Sequence, residues 1–210
     1  MTYAVKECFL TLQGEGMQTG RRAVFLRFAG CNLWSGREQD RATAQCSFCD
    51  TDFVGTDGEG GGKFADAESL SDQVLRTWGE GTEDRLVVIT GGEPMLQLDR
   101  ALIDALHDRG FRVAVESNGT LPAVPGIDWL CVSPKAGTDV VQRSGDELKV
   151  VWPQQGMDVA ELEHWDFPNL LIQPMDCDAR EEALKASIRL VMDRPRWRLS
   201  LQTHKIVGLP

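Results

Sequence analysis

No uninterrupted apolar run in this chain approaches the ~18–20 residues that a membrane-spanning helix requires. Its first residues, MTYAVKECFLTLQGEG, lack the basic-then-apolar order of a secretory leader, so a cytoplasmic protein is expected. Positive charge is scarce as well. Against 32 Asp and Glu there are 22 Lys and Arg, leaving a net charge of −10 and a pI of about 4.8. A surface this acidic repels phosphate backbones, which disfavours non-specific nucleic-acid binding and suits a small-molecule substrate better. Internal repeats are missing, and histidine occurs only at positions 107, 164 and 204.

What remains is ordinary globular composition, 42% hydrophobic and 26% charged, in a chain long enough for one well-filled domain. Short apolar runs at residues 23–29, 86–90, 112–116, 129–132, 148–152 and 170–173 read as strands. Three amphipathic stretches, residues 67–78, 98–109 and 179–193, read as helices, with Gly110 suited to cap the second. Strands alternating with helices imply βαβ units and a mostly parallel sheet. About six strands are too few for a closed eight-unit barrel, so an incomplete, open TIM-like α/β barrel is expected. In such sheets sites lie at the carboxyl ends of the strands. Polar groups follow four of them: Thr90-Gly91-Gly92-Glu93, Glu116-Ser117-Asn118, Ser133-Pro134-Lys135 and Gln173-Pro174. The glycine-rich stretch 55–63 reads as a mobile surface loop. The six tryptophans read as core or interface residues.

Six cysteines in a chain of this kind are expected to be reduced rather than paired as disulfides. Cys8, Cys131 and Cys177 have apolar neighbours and read as small core residues. Cys31, Cys46 and Cys49 cluster after the first barrel strand. Zinc in a closed structural site takes four ligands, and no fourth Cys or His lies nearby. A dithiol redox pair would leave Cys31 idle, and an electron-carrying cluster normally takes four thiolates. Three thiolates with one open position suit a 4Fe–4S cluster that binds a substrate at its unique iron.

With that trio, Phe48 before the last cysteine and Gly91-Gly92-Glu93-Pro94 after a strand resemble the radical S-adenosylmethionine superfamily. The superfamily usually spaces its cysteines by three and two residues, whereas here fourteen lie between Cys31 and Cys46. Further segments narrow the resemblance: TLQGEG at residues 11–16, FLRFAGCNLW at 25–34, CDT at 49–51, then TGGEP, VESNGT, VSPK, LKVV, IQP and the terminal THKIVGLP. Together they resemble the 7-carboxy-7-deazaguanine synthase family, within which the long cysteine gap is a known variant.

The resemblance implies a ring-contracting lyase that converts 6-carboxy-5,6,7,8-tetrahydropterin to 7-carboxy-7-deazaguanine and ammonia, on the route to the queuosine precursor preQ0. A 5′-deoxyadenosyl radical would take hydrogen from C6 of the pterin, and S-adenosylmethionine would be regenerated. It implies one domain over residues 1–210, with a cluster loop at about 31–49 and a C-terminal tail closing the site. The cofactors implied are the 4Fe–4S cluster on Cys31, Cys46 and Cys49, S-adenosylmethionine, and Mg2+ on Thr51. S-adenosylmethionine would meet Phe48, Asp50, Gly92, Glu93, Glu116, Ser117, Ser133, Pro134, Lys135, Gln173, Pro174, Met175 and Asp176. The substrate would meet Leu12, Gln13, Gly14, Glu15, Arg27, Thr90, His204 and the α-carboxylate of Pro210. The glycines of TLQGEG would let backbone approach a flat ligand. Arg27, on the face of its strand shared with Phe25 and Ala29, would pair with either the substrate carboxylate or a protein carboxylate. An electron donor such as flavodoxin and a homodimer are also implied. A glycyl-radical activase and a zinc-stabilised binding module without catalysis remain the alternatives.

Overall fold

The computed structural model describes residues 2–210. A nine-stranded sheet runs in the order β3-β1-β2-β4-β5-β6-β7-β8-β9. Its strands are β1 (Tyr3–Leu12), β2 (Arg22–Phe28), β3 (Gly62–Phe64), β4 (Leu86–Gly91), β5 (Arg112–Ser117), β6 (Trp129–Val132), β7 (Glu147–Trp152), β8 (Asn169–Pro174) and β9 (Trp197–Leu199). From β2 through β9 every neighbouring pair is parallel, and β1 and β3 add an antiparallel edge. The order does not return on itself, so the barrel is open. The six expected strands all form; β9 adds a seventh parallel strand, and β1 and β3 are additions that periodicity did not mark.

Helices α1 (Ala67–Trp78), α2 (Arg100–Asp108) and α4 (Arg180–Asp193) occupy the expected stretches, while α3 (Val159–Leu162) and α5 (Thr203–Val207) are short additions. Asp66 opens α1 by accepting from the Ser69 amide at 2.8 Å, and Asp99 opens α2 in the same way through the Leu102 amide at 3.0 Å. Each satisfies a backbone donor that the first turn leaves free. Gly110, with φ +76°, ends α2 and donates to the His107 carbonyl, a left-handed position that glycine adopts without penalty.

Strand alternation sorts the residues into two layers. Val24, Leu26, Val87, Ile89, Val113, Val115, Leu148, Val150, Leu170 and Ile172 join one core against the helices. On the opposite face, Ala23, Leu86, Val88 and Ala114 pack with Phe25 and Trp129 into a small apolar plug. Above that plug, toward the carboxyl ends, the inward positions turn polar: Arg27, Thr90, Glu116, Lys149 and Gln173 all line one cavity. Placing polar side chains only in the upper inward layer leaves a solid floor and an open top.

Two sequence expectations fail here. The segment 55–63 is an ordered edge instead of a free linker: Gly58 donates to the Lys6 carbonyl at 2.9 Å, and Cys8 donates to the Glu59 carbonyl at 2.7 Å. A Cβ on Gly60 or Gly61 would stand 2.4 or 2.3 Å from a β1 carbonyl, so these glycines serve close backbone approach rather than motion. Cys177 is exposed; it follows the turn after β8, where no core is available, whereas Cys8 and Cys131 are buried as expected.

Candidate active site

The cavity, of about 380 Å³, opens at the carboxyl rim, a size suited to a cofactor and small substrate together. Cys31, Cys46 and Cys49 stand on one wall with Phe48, Asp50 and Thr51. Gly30, with φ +92°, turns the chain after β2 so that Cys31 follows it at the rim. The Cys31 sulfur accepts from the Leu33 amide at 3.4 Å. Burial pushes the Cys31 thiol up. The hydrogen bond between Cys46 and Cys49 holds the Cys49 thiol down to about 6 and raises its partner.

These residues fit a cluster better than a single ion. Among the described residues no three thiol, imidazole or carboxylate groups converge closely enough to hold one metal ion. Three cysteines line the cavity, two of them hydrogen-bonded to each other and the third receiving a backbone N–H, a thiol set that suits a 4Fe–4S group with one position open. The GGEP turn is shaped to the same wall: a Cβ on Gly92 would meet the Gly30 carbonyl oxygen at 2.3 Å and the Cys31 Cβ at 2.5 Å. Only glycine lets this turn pass so close to the cluster strand.

Glu93 does not line the cavity. It is fully buried, accepting from the Ser117 hydroxyl at 2.8 Å, the Asn118 amide at 2.7 Å and the Met95 amide at 3.0 Å. Burial raises its carboxyl, with those donors opposing. Its side chain braces the turn after β4 to the turn after β5. Ser117 lies on the cavity edge with its hydroxyl engaged by Glu93, and Pro134 stays outside the lining. Ser133 lines the cavity, and its carbonyl and hydroxyl accept from Lys135 Nζ at 2.7 and 2.8 Å. Burial lowers the Lys135 amine. Gln173, Pro174, Met175 and Asp176 border the cavity after β8.

The other wall is a buried charge network that spacing alone could not assemble. Lys149 on β7 reaches Glu116 at 3.1 Å and forms a still closer pair with Glu15. Gln13 donates to Glu116 at 2.9 Å, and Gln202 donates to Glu15 at 2.9 Å. Burial by itself would raise the Glu15 carboxyl; Lys149, with Gln202 and Gln173, outweighs it and holds the group at about 2. Burial would likewise lower the Lys149 amine, but Glu116 and Glu15 keep it well above its ordinary range. Arg27 faces the cavity and donates through Nε to Glu7 at 2.7 Å, so a protein carboxylate already holds one edge of the guanidinium. Leu12 and Thr90 complete this side.

The glycines of TLQGEG receive protein rather than open space. A Cβ on Gly14 would stand 2.0 Å from His204 Nδ1, and one on Gly16 would stand 2.1 Å from the Glu147 carboxylate. Gly14 therefore lies behind the cavity lining, docking α5, whose Thr203 amide donates to the Gly14 carbonyl at 2.9 Å. His204 and Pro210 reach the cavity, and Thr11 Oγ donates to a Pro210 oxygen at 3.2 Å. Lys205, within the THKIVGLP segment but assigned no role from it, ties Asp50 at 2.8 Å to Asp176 at 2.6 Å. Lys149 carries a faint signal, since alternation within LKVV turns it inward. Gln202 and the Lys6–Asp52 pair, 2.9 Å apart, carry none.

A partial parallel barrel with three cysteines and a GGEP turn at its carboxyl rim is the architecture of a radical S-adenosylmethionine protein. The family model of the Radical SAM superfamily matches residues 39–147, beginning beyond Cys31. Proteins named 7-carboxy-7-deazaguanine synthase from Bordetella pertussis and Caulobacter vibrioides are each 60% identical over the full length of both chains. One from Neisseria meningitidis is 33% identical over 99% of this chain and 94% of its own. A crystal structure of QueE from Escherichia coli matches with a TM-score of 0.69 at 27% identity, covering 96% of this chain and 94% of that one. The chain belongs to the 7-carboxy-7-deazaguanine synthase family of radical S-adenosylmethionine enzymes.

Proposed function

We propose that this chain converts 6-carboxy-5,6,7,8-tetrahydropterin to 7-carboxy-7-deazaguanine with release of ammonia, in 7-deazapurine biosynthesis. The observation that carries the reading is the placement of charge around the cavity. Lys6, Arg27, Lys149 and Lys205 each have a carboxylate partner within salt-bridge distance. Lys135 holds only Ser133 oxygens and lines the cavity with Cys46 and Cys49. An ammonium without a carboxylate partner on the cluster side of a cavity calls for an anionic ligand there, and the methionyl carboxylate of S-adenosylmethionine is that ligand.

A bound 4Fe–4S cluster and S-adenosylmethionine together supply a 5′-deoxyadenosyl radical for hydrogen-atom abstraction. The chain's own residues bind, orient and exclude water. Cys31, Cys46 and Cys49 hold the cluster. Phe48, Asp50, Gly92, Ser133, Lys135 and the segment 173–176 would border the cofactor, with Glu93 bracing the GGEP turn from behind. Glu15, kept ionised by Lys149, and Glu116 would face the donor-rich aminopyrimidine edge of the pterin with Gln13, Leu12 and Thr90. Arg27 keeps its guanidinium nitrogens beyond Nε for the substrate carboxylate, and the Thr51 hydroxyl would offer an oxygen ligand to a magnesium ion. His204 and the α-carboxylate of Pro210 close the pocket from the tail. A low-potential donor of the flavodoxin type supplies the electron, and two chains associate.

The test is product analysis. Anaerobically reconstituted protein, given reductant, S-adenosylmethionine, magnesium and the carboxypterin, should release the deazapurine and ammonia in equal amounts by mass spectrometry. A cluster-loaded protein that cleaves S-adenosylmethionine yet leaves the pterin unchanged would assign the chain a different substrate.

A further inference from the structure

The fourteen residues between Cys31 and Cys46 fold into a device of their own. Their centre is a 3₁₀ helix over Glu38–Thr43. From it Arg41 turns back beneath the turn that carries Cys46 and Cys49. Its Nη1 donates to the Ser47 carbonyl at 2.9 Å and to the Cys49 carbonyl at 3.0 Å. Its Nε donates to both carboxylate oxygens of Glu38 at 2.9 and 2.8 Å. The guanidinium carbon lies 4.2 Å from the ring centroid of Trp34. Trp34 is itself held edge-on against the buried Phe53, with ring centroids 5.6 Å apart, and donates to the Arg37 carbonyl at 3.2 Å. The loop is closed at its base by the Gln45 amide on the Leu33 carbonyl at 3.1 Å.

A cluster ligand needs its sulfur aimed, and sulfur direction follows backbone direction over so short a turn. Carbonyls at Ser47 and Cys49 have no helix or sheet partner to fix them. One rigid, planar donor gripping both does so, and stacking on Trp34 removes the side-chain freedom that would weaken the grip. Lysine could supply the charge but neither the fork nor the stacked plane.

We propose that Arg41 is the positioning residue for the cluster cysteines, and that the long insertion exists to deliver it. The chain builds from its own loop the support that a short cysteine spacing supplies by tightness. Arg41 also places a positive charge on the carbonyl of a cluster ligand, which favours the reduced, more negative cluster. This proposal rests on the reading of Cys31, Cys46 and Cys49 as cluster ligands but not on the identity of the substrate.

The test compares wild type, Arg41→Ala, Arg41→Lys and Trp34→Leu as full chains reconstituted with iron and sulfide. Removing a partner that orients metal ligands typically weakens a site about 10- to 100-fold, so Arg41→Ala should lose its visible cluster absorbance to a chelator at least about 10-fold faster. Its midpoint potential, read by electron paramagnetic resonance during a reductive titration, should move to more negative values. Arg41→Lys should keep a potential near wild type while losing the cluster at an intermediate rate, and Trp34→Leu should do the same. Wild-type loss rates and potential in Arg41→Ala would overturn the proposal. If Arg41→Ala fails to fold, wild-type loss rates in both Arg41→Lys and Trp34→Leu would overturn it instead. A wild-type chain that takes up no iron would instead refute the cluster reading beneath it.

Discussion

Lys149 and Glu15 are 134 positions apart in the chain and meet in a buried ion pair that Glu116 shares. Removing one partner of such a network leaves the others charged and uncompensated, so Lys149→Met should destabilise the fold by about 3–5 kcal/mol, read by urea unfolding at neutral pH. The sign with pH follows from Glu15. Its carboxyl titrates at about 2 in the folded chain against about 4.3 when unfolded. The stability it contributes is complete above the unfolded value and lost as pH falls toward the folded one. The gap between wild type and Lys149→Met should therefore narrow from about pH 7 to about pH 3; a constant gap would show that Lys149 acts through packing alone. Gly14 makes a second prediction at this scale. Because an added Cβ would collide with the His204 ring, Gly14→Ala should displace α5, raising KM for the pterin with little change in cluster content. Unchanged KM would mean that the tail does not depend on this seat.

Among the elements, legibility followed regularity. The six apolar strands and three amphipathic helices show their periods directly, and α1 has the predicted bounds. Strand β1 hides because a bulge between Val5 and Glu7 breaks its alternation, turning Lys6 inward beside Val5. Strands β3 and β9 are three residues each, too short for any period to register. Helix α5, THKIV, has no apolar stripe; what holds it is tertiary contact with Gly14, Glu15, Asp50 and Asp176. The cysteines and GGEP were legible because their chemistry is local. The charge network and the Arg41 grip were not, since each joins residues that only the fold brings together. The Lys205 link is an element-scale latch between two walls. Half-exposed ion pairs are worth roughly 0.2–1 kcal/mol, so Lys205→Ala should leave the melting temperature almost unchanged. It should nonetheless speed amide exchange through residues 203–209 and raise KM; unaltered exchange there would show that the tail is held without the latch.

At the scale of the molecule, an acidic chain of net charge −10 gathers five of its cations, Lys6, Arg27, Lys135, Lys149 and Lys205, around one cavity. The exterior repels polyanions while the cavity concentrates cations, as both proposed carboxylate-bearing ligands require. Among the described residues no helix is long and apolar enough to cross a membrane. The open barrel places seven parallel strand ends around that cavity, a single chamber that the C-terminal residues His204 and Pro210 also line.

Hydrogen transfer within that chamber is the central claim, and isotope transfer tests it most directly. Reconstituted protein would be incubated with reductant, S-adenosylmethionine and carboxypterin bearing deuterium at C6, and the recovered S-adenosylmethionine weighed by mass spectrometry. The account predicts deuterium accumulating in S-adenosylmethionine as the deazapurine forms. Deazapurine formed while S-adenosylmethionine stays unlabelled, or a cluster-loaded chain that forms none, would contradict it.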